Sequence, residues 1–221
     1  MFYQPELNNH GLAYGPFKAL VVPRPIAWIS TIDGKGRVNL SPFSQYNLFG
    51  SDPPRVMFTV GKQVTGLKKD TLCNVEEQGE FVVNIATYDL REAVAFTSSI
   101  TDPGTDELAA AGLTPLKSRL VRPPGVKESP VQLECRYEQT ISLPCDTPGN
   151  TQSMVIGRVI GIHIDDAFIT PDGRVDILKI RPLSRMGYMD YTSVTELFQV
   201  QKPDEETERY MSTGRIPTKV S

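Results

Sequence analysis

Two-residue periodicity organises most of this 221-residue chain. Residues 26–32 (IAWISTI) are rich in β-branched and aromatic side chains, the Asp33-Gly34-Lys35-Gly36 run supplies turn chemistry, and residues 38–40 resume the extended pattern, which together predict a hairpin. Further strands are expected at residues 19–22, 55–60, 80–86, 131–137, 153–164 and 175–180. At 131–137, Val131, Leu133, Cys135 and Tyr137 alternate with Gln132, Glu134 and Arg136, which predicts one buried and one wet face. The 153–164 run is apolar on both parities and carries Gly157 and Gly161, as suits a strand covered on both sides and sharply bent.

The period changes in three places. Leu72 and Val75 sit three apart between Asp70, a candidate N-cap, and Gly79, a candidate C-terminal glycine, predicting a helix over 71–78. A second helix is expected over 89–97, with Leu90, Ala93, Val94 and Phe96 for the core, and a helical turn at 106–111 inside a long polar excursion, 98–125. Residues 1–18 read as an irregular lead-in, 19–192 as one domain and 193–221 as a polar tail, free or laid across a neighbouring subunit.

Between the hairpin and Pro53-Pro54, small polar residues cluster: Asn39, Ser41, Ser44 and Asn47 recur around Pro42 and Phe43. Proline cannot donate to a sheet ladder, so such a stretch leaves hydroxyls and amides for a ligand. Lys68, Lys69 and Thr71 stand at the start of the 71–78 helix, where free amides and lysine charge favour a phosphate.

A formal net charge of -3 with no basic cluster speaks against a nucleic-acid partner. The N-terminal residues lack a basic region followed by an apolar one, and no run approaches membrane-spanning length, so neither a signal peptide nor a membrane helix is expected and the cytoplasm is the default location. Cys73, Cys135 and Cys145 have neither CxxC spacing nor an even count and read as free thiols. Two histidines, His10 and His163, are too few for a multi-histidine metal centre. His163 reads as a structural strand histidine.

In order along the chain, PRPIAWIST, D-G-x-G-x-x-N-x-S-P-F-S-x-x-N, D-P-P, Lys69-Asp70-Thr71 with Asn74, GEFVVNI, SPVQLEC and PLSRMGYMDY span roughly residues 12–192. This succession resembles the flavin reductase-like family. The resemblance implies a mainly β fold, an FMN-binding split β-barrel of mostly antiparallel Greek-key strands with a few short helices. It implies that Lys69 and Thr71, with Ser44 or Ser30, hold the FMN phosphate, and that Thr31, Ser41, Pro42, Phe43 and Asn47 line the ring and ribityl chain. It places Trp28 at the flavin edge and Arg185, Gly187 and Tyr191 near the flavin across a homodimer interface. The activity implied is an oxidoreductase in which NAD(P)H reduces bound FMN and the electrons pass to free flavin, oxygen or a partner monooxygenase. No catalytic side chain is required.

The chain departs from the family at one point. Reductases of the family often carry Gly-Asp-His just before the strand that here begins near residue 153, whereas this chain reads Asp146-Thr147-Pro148-Gly149-Asn150-Thr151. Two alternatives follow: an FMN electron carrier of the flavoredoxin kind reduced by a protein partner, and a flavin-free barrel that binds haem or another ligand. The intact KDT and SPFSxxN patterns count against the second.

Overall fold

The computed structural model describes residues 1–61, 68–99 and 105–200. Seven strands form the main sheet, in the order β3 (Val38–Phe43), β2 (Ala27–Ile32), β6 (Glu80–Ile85), β9 (Val131–Leu143), β10 (Gln152–Ile164), β5 (Pro54–Gly61) and β4 (Tyr46–Ser51). Every pairing in it is antiparallel. The two outer strands, β3 and β4, are consecutive in sequence and joined only through Ser44 and Gln45. The sheet therefore curls until its first and last strands meet at one turn, a barrel left split along its edge.

The hairpin register pairs Ala27 with Phe43 and Ile32 with Val38, as the 33–36 turn predicts. Strand β3 runs through Pro42 to Phe43, longer than the 38–40 run, because an edge strand needs no ladder donor on its outer side. The bend expected in 153–164 is present as two register shifts in β10, at Ile156/Gly157 and Val159/Gly161. At Gly157 a Cβ would lie 2.2 Å from the Phe81 ring, so the aromatic ring occupies the space a side chain would take.

Inside the barrel Ala27, Ile29, Phe43, Phe58, Val60, Phe81, Val83, Cys135 and Val155 make one core, with Leu72 and Val75 of α2 (Asp70–Gln78) plugging one end. Gly79 closes that helix at φ 72, with its N–H on the Val75 carbonyl. Lys69 is the N-cap residue rather than Asp70, and no side chain caps the helix. A second core lies outside the sheet, where Ile26, Trp28, Leu40 and Ala86 pack against Val94 of α3 (Arg91–Phe96), Leu108 of α4 (Glu107–Ala110) and Val126. Phe96, expected in that core, is 46% exposed.

Two strand assignments are corrected. Residues 17–20 form a single helical turn, α1 (Phe17–Leu20), and the extended segment falls at β1 (Arg24–Pro25), which pairs with β11 (Leu183–Gly187) in a small sheet completed by β12 (Asp190–Ser193). Residues 175–180 yield only an Ile169–Val175 bridge and then α5 (Ile177–Ile180), because the Asp176 carboxylate accepts the Lys179 N–H and starts a helix. The wet face expected for Gln132, Glu134 and Arg136 is present at Arg136, which is exposed, and absent at the other two. The excursion, which carries the short pair β7 (Pro115–Leu116) and β8 (Gly125–Val126), covers that face and leaves the two residues 3% and 7% exposed. Of the polar tail, 201–221 lie outside the described residues.

Candidate functional site

A cleft of about 560 Å³ opens where the split edge meets the small sheet. Pro42 and Ser44 form one wall, Val94, Ala95 and Ser98 of α3 and its end a second, and Arg185, Gly187, Tyr188, Met189 and Tyr191 a third, with Lys18, Arg24 and Ile26 at the base. Its volume lies within the range of organic cofactor sites. Three cations line it and no carboxylate does. Arg24 is held by the carbonyls of Lys18 and Val21, and Arg185 by the Tyr188 carbonyl, its guanidinium stacked 4.4 Å from the Tyr191 ring centre. Gly187, at φ 134, is where a Cβ would come 2.7 Å from Ala19 Cα, so a glycine lets α1 and its Lys18 close against β11. A neighbouring hollow of about 430 Å³, lined by Tyr88, Arg91, Leu183 and Thr192, shares Ala95 and Tyr191 with the cleft.

The sequence-derived candidates divide into two sets. Pro42, Ser44, Arg185 and Tyr191 line the cleft together. Ser41 is half-buried on the same strand, and Asn47 is exposed on β4. Phe43 turns inward, and Lys69 sits over its ring, 5.5 Å from the centre. Trp28, Ser30, Thr31 and Thr71 are all buried, with their polar atoms bonded inside the protein. The Trp28 indole N–H donates to Thr97 Oγ1 at 2.9 Å, and Ser30 Oγ donates to the Pro124 carbonyl at 2.5 Å. Thr71 Oγ1 donates to Asn39 Oδ1 at 2.7 Å, Thr31 Oγ1 bonds the same oxygen at 3.3 Å, and Asn74 Nδ2 donates to Thr31 Oγ1 at 3.0 Å. Asn39 Nδ2 donates in turn to Glu107 Oε2 at 3.1 Å. This network ties the start of α2 to β2 and β3, so these side chains brace the site and do not face the cleft.

Lys69 is the distinctive charge. It is half-buried, burial pulls its pKa below the usual lysine value, and no carboxylate pairs with it among the described residues. The neighbouring Lys68 has Glu76 at 3.2 Å. A desolvated, unpaired ammonium beside the uncapped start of a nine-residue helix is what an anionic group would satisfy. Lys69 does not itself line the cleft; the start of α2 fits a phosphate and the cleft a flat ring. Sequence reasoning missed Lys18 and Arg24, which the helical turn and the β1–β11 pairing carry into the cleft. Among the described residues no group of three His, Cys, Asp or Glu could hold a metal ion, and no helix is long and apolar enough to cross a membrane.

The flavin reductase like domain matches residues 19–176. The chain belongs to that family. It is 35% identical over 191 residues to the uncharacterised protein YwrF of Bacillus subtilis, covering 86% of this chain and 93% of that one. To an uncharacterised protein of Halalkalibacterium halodurans it is 37% identical over 184 residues, 83% of this chain and 87% of the other. Among solved structures, nitrilotriacetate monooxygenase component B of Bacillus cereus superposes with a TM-score of 0.80 at 30% identity, covering 90% of this chain and 98% of that one. The flavoredoxin of Desulfovibrio vulgaris superposes with a TM-score of 0.69 at 23% identity over 94% and 100% of the two chains, a likeness of fold. A Shewanella frigidimarina protein whose structure is described as having a split barrel domain superposes with a TM-score of 0.77 at 23% identity over 91% of this chain and 99% of that one, and the present sheet has that form.

Proposed function

We propose that the protein is an FMN-binding oxidoreductase in which NAD(P)H reduces the bound flavin and the electrons go on to free flavin, oxygen or a partner monooxygenase. The cleft lined by Lys18, Arg24 and Arg185 with no carboxylate carries this reading. Lys69 and the free amides at the start of α2 hold the phosphate. Thr71 fixes that helix through Asn39, Pro42 and Ser44 border the ring with Ser41 and Asn47 beside them, and Arg185 stacked on Tyr191 closes the outer wall. When bound, the flavin supplies the hydride chemistry, and the chain's part is to bind, orient and shield. The family membership and the likeness to a monooxygenase component B support the reading.

A homodimer belongs to the same proposal. Leu48 (67% exposed) and Phe49 (49%) on edge strand β4, with Tyr188 and Met189 (81%) on the cleft rim, leave apolar surface that a second copy would cover. A cytoplasmic location fits such a reductase.

The absence of Gly-Asp-His at 146–151 favours a second reading, an FMN electron carrier reduced by a protein partner. The visible absorption spectrum under anaerobic conditions, before and after NADH and then NADPH, separates them. Bleaching by either nucleotide supports the reductase and names its donor. A flavin spectrum that stays oxidised supports the carrier, and no flavin uptake after added FMN refutes both.

A further inference from the structure

We propose that Arg24 and Arg185, with Lys18 beside them, form a clamp for the diphosphate bridge of the nicotinamide dinucleotide donor, separate from the place that holds the FMN phosphate. The clamp rests on the reading of the cleft as the flavin site and names what shares that cleft with the ring. Arg24 and Arg185 are Cα partners in the β1–β11 pair, and Arg185 is in turn the partner of Tyr191 in β12. Directly opposed residues of an antiparallel pair point to one face. Arg24, Arg185 and Tyr191 therefore form a row across the small sheet, and all three line the cleft.

Like charges set directly opposite each other in a sheet are unfavourable, and both arginines are half-buried. Every ion pair among the described residues belongs to other cations, so neither arginine, nor Lys18, has a carboxylate to offset the repulsion. Both guanidiniums are nevertheless held in place. Arg24 donates through Nη1 to the carbonyls of Lys18 and Val21, the second at 2.6 Å. Arg185 donates through Nη2 to the Tyr188 carbonyl, and its flat face lies 4.4 Å from the Tyr191 ring centre. Each fork is fixed at one corner. An oxyanion between the two takes the N–H groups that remain and turns the repulsion into attraction.

The identity of that anion follows from what else the cleft takes. A flavin ring is uncharged, and its phosphate belongs at Lys69 and the start of α2, outside the cleft lining. Lys18, Arg24 and Arg185, with no carboxylate among them, therefore answer to a second occupant that is a dianion or more. The diphosphate bridge of a nicotinamide dinucleotide is a dianion, and one ribose separates it from the nicotinamide that must reach the flavin, so both ends belong in one cleft. Arginine forks match phosphate oxygens in geometry as well as charge. The hollow of about 430 Å³ that adjoins the cleft at Ala95 and Tyr191 supplies room for the adenosine half. Such a clamp gives this chain a hold on the donor without Gly-Asp-His at 146–151.

The test is titration calorimetry on the full-length, FMN-loaded protein with ADP-ribose, which keeps the diphosphate bridge and lacks the nicotinamide, and with adenosine, which lacks both. Flavin fluorescence quenching gives the FMN constant in parallel. ADP-ribose is expected to bind, and adenosine to bind at least about tenfold more weakly. Lys18→Gln removes no side-chain hydrogen bond among the described residues, and Arg24→Gln keeps an amide that can still donate to the Lys18 and Val21 carbonyls. Each should weaken ADP-ribose at least about fivefold and leave the FMN constant unchanged. Adenosine bound as well as ADP-ribose, ADP-ribose binding indifferent to both substitutions, or no ADP-ribose binding at millimolar concentration would overturn the clamp. So would an equal loss for FMN, which would give these cations to the flavin phosphate instead. A protein that takes up no FMN refutes the flavin reading by itself, and ADP-ribose titrated into it still decides the clamp.

Discussion

Replacing Lys69 by Met separates the charge from the packing. The substitution keeps an unbranched apolar stem over the Phe43 ring, where the ammonium now stands 5.5 Å from the ring centre, and removes only the cation. Lys69 has no carboxylate to abandon and its charged form is already penalised by burial, so the fold should lose little. Binding should lose much. One charge-assisted bond to a phosphate is worth about 1.5 to 3 kcal/mol, or roughly a 10- to 150-fold rise in the FMN dissociation constant. The assay is quenching of flavin fluorescence on titration, run in parallel with riboflavin, which has the ring and ribityl chain and no phosphate. Wild type and variant should bind riboflavin alike and differ only toward FMN. An unchanged FMN constant, or an equal loss for both flavins, would remove Lys69 from the phosphate site. The sign of the pH effect follows from the same geometry. With the folded-state pKa below the ordinary 10.5, the unfolded chain binds more protons in the window just below that value, so the ligand-free protein gains stability there as pH rises. The gain should vanish in Lys69→Met.

Four other outcomes are expected. Asn39→Ala strips partners from Thr71 and Glu107 together, both buried, and should cost about 2 to 4 kcal/mol in urea unfolding; a loss under 1 kcal/mol would deny that Asn39 is the hub. Gly157→Ala puts a methyl 2.2 Å from Phe81 and should destabilise by about 1 to 3 kcal/mol in the same assay, whereas Gly61→Ala, with open space around it, should not. Burial pushes the Cys135 thiol well above its usual range, so a thiol-reactive dye should titrate at most two of the three cysteines in native protein and the third only after denaturation. Burial lifts Tyr46 from 10.0 to about 12, so its contribution is intact below pH 10 and is lost as pH rises toward 12; alkaline unfolding that is unchanged in Tyr46→Phe would contradict this.

The strands were legible wherever both neighbours lay close in sequence or the pattern was strongly apolar: the 26–40 hairpin, Glu80–Ile85 and the bent Gln152–Ile164 are of that kind. Residues 19–22 and 175–180 misled because short apolar runs fit either period, and local caps decided the matter: Asp176 turns the second into a helix. Within the site, Pro42, Ser44, Arg185 and Tyr191 meet in one cleft although more than 140 residues separate the two pairs, a juxtaposition that family motifs signalled and periodicity could not. Thr31 and Thr71 carried the right chemistry for a ligand. Their burial beside Asn39 depends on where α2 docks, which no local pattern reports.

Gln132 and Glu134 show most plainly why alternation is an incomplete guide. It tells which residues share a face and leaves open what covers that face. In β9 the inward parity that alternation predicts, Leu133 and Cys135, packs in the barrel core. Alternation predicts water on the outward parity, and Arg136 is exposed, yet at Gln132 and Glu134 the 105–126 excursion returns over it and is held by the polar residues themselves: Glu134 takes two of its backbone N–H groups, Gln132 donates to its Val126 carbonyl, and Asn84 accepts the Val126 N–H at 2.7 Å. Polar side chains on a strand are thus the attachment points for an irregular segment whose backbone groups need partners once buried. The same requirement explains why one atom of that set, Gln132 Oε1, stands out. Asn84, Glu134 and the Gln132 Nε2 spend their bonding capacity on the covering segment, and Gln132 Oε1 is left buried with no partner among the described residues.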